Sequence, residues 1–252
     1  MNRHPHRLAR VAWGTCLATL LCSGIACARQ GVDDVDAAQQ AFADPRVAEL
    51  AAAAADGDGA TVRALAAAGV DLDARGDRDV TPLQFALLAK STSGMQALLD
   101  AGADPGRPGM DGDTVLHLAA MADDPKYLEL LLRAGGDANA RNAGTGAPVL
   151  FAALRGGRGP QFRALLAAGA DPAAADNAGN TALHQAGKYN QPAEALALLQ
   201  AGAPAAARNR QDATFQTYLF KTNERVLTAE ARRDRDRIRE WLIAHGQAVE
   251  SP

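Results

Sequence analysis

Few residues in this chain could do chemistry, and their spacing argues against it. After residue 28 the histidines are His117, His184 and His245, and the serines are Ser91, Ser93 and Ser251. No Gly-x-Ser-x-Gly elbow holds any of these serines, and no His-Glu-x-x-His or phosphate-binding glycine loop is present. The three cysteines, Cys16, Cys22 and Cys27, all precede residue 29, so a chain processed there keeps neither a thiol nucleophile nor a disulfide. Carboxylates are plentiful, but they recur in phrases such as "DGDT" (Asp111 to Thr114) and "DNAGN" (Asp176 to Asn180), where Asp, Asn and Gly form turns. The expectation is a protein that is not an enzyme, with no catalytic residue, no metal ligand set and no cofactor. What remains is binding.

The elements that would position a binding surface repeat themselves. "TPLQFAL" at Thr81 returns as "TVLHLAA" at Thr114, "APVLFAA" at Ala147, "TALHQAG" at Thr181 and "TFQTYLF" at Thr214, in steps of 33, 33, 34 and 33 residues. A second marker keeps the register: "AAGVD" ends at Asp71, "DAGAD" at Asp104, "RAGGD" at Asp137 and "AAGAD" at Asp171, and "QAGAP" follows at Pro204. The Thr can cap a helix by accepting a bond from a free backbone N–H. Pro82 and Pro148 follow at the first helical position, where a missing N–H costs nothing. Gly69, Gly102, Gly135, Gly169 and Gly202 suit a left-handed residue just past a second helix. Two short helices cannot bury their apolar faces alone, and stacked copies can.

A step of 33 carrying Thr-Pro-Leu-His, Leu-Leu and Ala-Gly-Ala-Asp resembles the ankyrin repeat, over about residues 45–246. The resemblance implies an all-α ankyrin-repeat solenoid of about six helix-turn-helix units, near 45–80, 81–113, 114–146, 147–180, 181–213 and 214–246, with finger-like hairpin connectors and an extended C-terminal capping helix. It also implies that His117 and His184 bond backbone in the neighbouring finger, and that other proteins bind along fingers and concave inner helices. The unit at Ala147 departs from the pattern. It lacks the capping hydroxyl, Leu150 replaces His, and "RGGRGP" (Arg155 to Pro160) is expected to add one residue between its helices.

The ends read differently. Residues 1–28 resemble an export signal: Arg3, Arg7 and Arg10 precede an uncharged run from Val11 to Ala28. Ala26-Cys27-Ala28 would direct cleavage after Ala28, whereas "GIAC" resembles a bacterial lipobox that would make Cys27 the lipidated first residue, and both readings stand. Residues 29–44 read as an acidic tether or the first turn of a cap, residues 247–252 as a tail. The expected location is the periplasm, with any membrane attachment only through a lipid at Cys27.

The formal net charge of −3 conceals a gradient. Residues 30–140 hold 19 acidic and 8 basic side chains, a net of −11, while residues 141–207 and 208–240 are net +2 and +3. An acidic front argues against nucleic acid, which needs basic stripes, and suits a partner with a basic patch. The finger tips implied by the resemblance carry Asp77, Arg78, Asp79, Met110, Asp111, Asp113, Asn177, Asn180 and Arg210. The inner-helix ends carry Leu88, Met121, Ala122, Leu154, Arg155, Lys188, Tyr189, Lys221 and Thr222, with Met121 and Tyr189 the expected anchors.

Finally, the C-terminal stretch "TFQTYLFKTNERVLTAEARRDRDRIREWLIAHGQAVE" resembles exported ankyrin proteins encoded beside type VI secretion phospholipase effectors. Those act as immunity proteins, which implies a monomeric, stoichiometric inhibitor of a secreted lipase-type effector. In outline the chain is also similar to exported ankyrin proteins that support an envelope enzyme such as a catalase.

Overall fold

A computed structural model describes residues 26–250, with side chains from Asp34 onward. Residues 1–25, which hold most of the expected export signal, lie outside it, as does the Cys27 side chain. The described residues form an all-α solenoid. A leading helix, α1 (Ala26–Ala41), is followed by pairs of short helices: α2 (Pro45–Asp56) with α3 (Gly59–Ala67), α4 (Pro82–Leu88) with α5 (Thr92–Asp100), and α6 (Val115–Met121) with α7 (Lys126–Arg133). Then come α8 (Val149–Arg155) with α9 (Gly159–Ala167), α10 (Ala182–Lys188) with α11 (Pro192–Gln200), and α12 (Phe215–Leu219) with the 16-residue α13 (Ala229–Ala244).

The first helix of each pair packs on the first helix of the next, from α2 through α12, and so forms the inner layer. Its core positions are Leu83, Leu116, Leu150 and Leu183, each at most 1% exposed. The outer layer buries Met95, Leu98, Leu128, Leu131, Phe162, Leu165, Ala195 and Leu198 to the same degree or nearly so. Both sets recur at the repeat step, which is how a helical stripe too narrow to fold alone becomes one continuous core. No helix among the described residues is long and apolar enough to cross a membrane.

Capping follows the sequence closely. Thr81, Thr114 and Thr181 each head a capping box with the residue three positions on, Gln84, His117 and His184. The glycines at 69, 102, 135, 169 and 202 all have positive φ, between 76° and 100°. At Ala147 the pattern shifts. Pro148 does not open the helix but precedes it, extended at φ −65° and ψ 153°, and α8 starts at Val149. Pro148 thus takes the cap position that Thr114 and Thr181 hold in their units, so that Phe151 rather than Leu150 stands in the place of the histidine, and Pro148 pairs with Arg141 in a β-bridge as Thr181 does with Ala175. The extra residue expected within "RGGRGP" is absent there: α8 and α9 are separated by 156–158, three residues, as α4 and α5 are by 89–91.

Both ends are closed by the chain itself. Of the two readings of residues 29–44, a tether or a cap turn, the structure matches the second: residues 29–41 belong to helix α1, and Ala38, Ala41 and Phe42 are buried, Phe42 edge-on to Phe85 at 5.9 Å. At the far end α13 takes the outer-layer place beside α11. Arg235 pins it there. Its guanidinium, 1% exposed, donates to Thr222 O at 2.8 Å, to Asn190 Oδ1 at 2.8 Å and to Leu219 O. The tail then turns back: Gln216 Nε2 donates to Ala248 O at 2.9 Å, and Glu250 N–H donates to Gln216 Oε1 at 3.0 Å.

Candidate functional site

The connectors between pairs project as fingers beside the inner helices. The first two are tight turns, Gly76 N–H to Val80 O at 2.8 Å and Gly109 N–H to Asp113 O at 2.9 Å. Arg78, Asp79 and Asp111 sit at their tips with φ of 54°, 61° and 53°. Gly109 has no room for a side chain, because a Cβ there would lie 2.1 Å from Gln84 Oε1. Successive fingers are laced by single backbone bonds: Ala143 N–H to Gly112 O, Asn177 N–H to Thr145 O and Arg210 N–H to Ala178 O, each 2.9 Å. Buried amides reinforce them, as when Asn142 Nδ2 donates to Asp113 Oδ1 at 2.6 Å and Asp111 O at 3.0 Å.

Each finger is also tied to the inner helix before it. Gln84 Nε2 donates to Asp113 O at 2.8 Å, His117 Nε2 to Ala147 O at 3.1 Å and His184 Nε2 to Ala213 O at 2.9 Å. The Nδ1 atoms of the two histidines accept from the Thr114 and Thr181 N–H groups, so both rings are fixed as neutral Nε2–H tautomers. Burial holds both pKa values below 6.5 against the opposing pull of those carbonyl bonds. These rings are structural, as the resemblance implies. His245 is likewise occupied, stacked on Trp241 and bonded to its carbonyl at 2.8 Å.

Between the fingers and the inner helices of the central repeats lies an open groove of about 510 Å³. It brings together Met110, Asp111, Asp113, Met121, Arg155 and Tyr189 from the expected surface. Tyr189 is 43% exposed, enough to meet a partner while keeping an edge in the wall. Arg155 reaches back across the floor, its Nη2 3.8 Å from Asp113 Oδ2 and 3.1 Å from Met121 Sδ. The groove also has walls that motif reading passed over: Leu118, Phe151 and Gln185 line it. Leu118 and Gln185 occupy one helical position in their units, so the repeat step itself would have found them, whereas Phe151 stands where the other two units carry His117 and His184.

The other expected residues lie elsewhere. Asp77, Arg78 and Asp79 are exposed on the preceding finger, which meets the groove where Arg78 Nη2 stands 4.0 Å from Asp111 Oδ2. Asn177 is exposed but donates to Gly144 O at 3.1 Å. Asn180 is only 7% exposed; it donates to the Asp176 carboxylate and accepts from Asn209 at 2.9 Å and Lys188 Nζ at 3.1 Å. Lys188 is thereby folded down, over the Tyr218 ring. Arg210 and Lys221 are exposed beyond the groove. Leu154, expected on the concave face, is 1% exposed and belongs to the core. A second hollow, about 570 Å³, opens between α1 and α2 beside Val35, Phe42 and Pro45. Among the described residues no cluster of three or more His, Cys, Asp or Glu side chains could hold a metal ion.

Comparison with known proteins agrees with this architecture. A family model described as "Ankyrin repeats (3 copies)" matches residues 50–142 and again 116–209. "Protein PhlB" of Serratia liquefaciens is 44% identical over 142 residues, which is 56% of this chain and 62% of that protein's length. The chain therefore spans under two thirds of this relative.

Proposed function

Because the chain belongs to the ankyrin-repeat family, a family of protein–protein interaction modules, we propose that it is an exported bacterial immunity protein that blocks a lipase-type effector by one-to-one binding in the periplasm. The observation that carries the binding surface is the central groove, where exposed Tyr189 and half-buried Met110 and Met121 sit beside charged finger tips. Aromatic and methionine side chains supply contact area on an adaptable floor. The inner helices beneath them are held rigidly by buried leucines and by the histidine and glutamine ties to the fingers, so little ordering cost attends docking. The inhibitor would act by occlusion. Fingers and concave face would cover the mouth of the effector's active site, with no reaction on this chain.

The test is protection. Cells carrying the effector targeted to the periplasm should survive when the full chain is expressed, and should die when residues 1–28 are removed, because the shortened form stays away from the toxin. Survival should require at least one copy per toxin molecule. Protection by a signal-less form, or at far below equimolar amounts, would refute occlusion in the periplasm. Recovery of a catalase-type enzyme as the sole stable partner would support the scaffold reading instead.

A further inference from the structure

Charge and shape in the groove identify what kind of segment it takes, provided that it is the binding face proposed above. Its lining holds three carboxylates, Asp111, Asp113 and Asp176, against one cation, Arg155. The cations near it are already engaged within the chain. Arg155 lies along Met121 toward Asp113, Arg158 holds Asp123 at 2.5 Å, and Lys188 is bonded to Asn180 and laid over Tyr218. The outward charges at the finger edge are mixed, with Asp77, Asp79 and Asp111 outnumbering Arg75 and Arg78. The Asp111 side chain is 83% exposed and that of Asp79 61%, and their nearest basic partners stand at 4.0 and 3.8 Å. Contacts that long between exposed groups are weak and yield readily to a closer cation. Opposite this edge lie the thioethers of Met110 and Met121, the Phe151 ring and the exposed Tyr189 ring, and an aromatic face attracts a cation as well as an apolar group.

We propose that this groove docks a segment of the partner protein bearing a Lys or Arg side chain beside a large apolar one. The cation would stand between the carboxylates of Asp79 and Asp111 at the finger edge, and the apolar side chain would lie on the methionine floor against Tyr189. The acidic half of the chain, net −11 over residues 30–140, steers such a segment toward the groove before contact.

The probe is a library of random 12-residue peptides displayed on phage and selected on the purified full chain. Enriched peptides are expected to hold Lys or Arg within four positions of an aromatic or large aliphatic residue. A synthetic copy should bind at least tenfold more weakly to Met121→Ala/Tyr189→Ala. Binding to Asp79→Asn/Asp111→Asn should also fall about tenfold and lose most of its salt dependence. Asn tolerates the left-handed φ at both positions, so that variant keeps its fold. Enrichment of acidic or uncharged peptides, binding unchanged in both variants, or no enrichment at all would overturn the proposal. Protection assays separate the two readings. Survival that persists in Asp79→Asn/Asp111→Asn sinks this docking chemistry alone, whereas groove-dependent peptide binding without protection sinks the immunity reading alone.

Discussion

His117 Nε2 donates to the carbonyl of Ala147, 3.1 Å away, and so ties one inner helix to the next finger. The bond needs a neutral ring. Because burial lowers the folded-state pKa of His117 and His184 below 6.5, the unfolded chain binds protons first as pH falls. The stability that these rings contribute is complete above about pH 6.5 and is lost as pH falls from there through the folded values. Urea midpoints measured from about pH 7.5 to about pH 5 should therefore decline on the acid side. His117→Gln should remove part of that decline at little cost near neutrality, since Gln84 makes the same tie one unit earlier. A midpoint flat across this range would contradict the assignment.

His117→Leu, which removes the Nε2 donor, is a separate test. Ala147 O keeps a second donor, Asn142 N–H at 2.9 Å, so it is not left orphaned. The loss should be about 1 kcal/mol, one net hydrogen bond, in chemical denaturation. A cost above about 3 kcal/mol would mean that the ring does more than this tie.

Gly94 and Gly69 should separate close packing from backbone conformation. A Cβ at Gly94 would lie 1.7 Å from Ala54 O, so Gly94→Ala must push α5 off α2 and should cost roughly 1–3 kcal/mol or more, as overpacking does. At Gly69 nothing lies within 4 Å, but φ is +76°. Gly69→Ala should cost only the left-handed penalty, about 1 kcal/mol. Equal losses in thermal unfolding would contradict the tight α2–α5 approach.

Arg235→Met should loosen the C-terminal cap selectively. The substitution fills similar volume but strips a donor from Thr222 O, Leu219 O and Asn190 Oδ1. Bonds to a charged donor contribute about 1.5–3 kcal/mol, so hydrogen exchange in 229–244 should accelerate by one to two orders of magnitude, about that energy's worth. Exchange in α6 and α8 should change far less, since stability in an array is carried by near neighbours. Uniform acceleration along the chain would show that the cap is not a separable unit.

The period of 33 and its glycines determined by themselves that this chain stacks helix pairs, because a narrow apolar stripe has no other way to be buried and only a left-handed residue ends each outer helix there. The locked histidines and Met121 and Tyr189 on the concave side were legible for the same reason, since the register places them. Three things were decided only by tertiary structure. Asn180 sits at a register position that can face outward, yet Asn209 of the next unit covers it, and Leu154 takes the buried place of Leu87 and Ala120 because α8 starts one residue later than the pattern suggests. Leu118, Phe151 and Gln185 look like ordinary helical stripe until two neighbouring units open a groove between them. Residues 29–44 read as a tether or a cap turn and Arg235 as part of a solvated face, but an array must close its ends, and it does so with α1 and with a guanidinium whose two terminal nitrogens donate to acceptors that come together only when the last units pack. Local pattern sets which way a side chain leaves its own helix; whether solvent or a neighbour waits there depends on the units on either side.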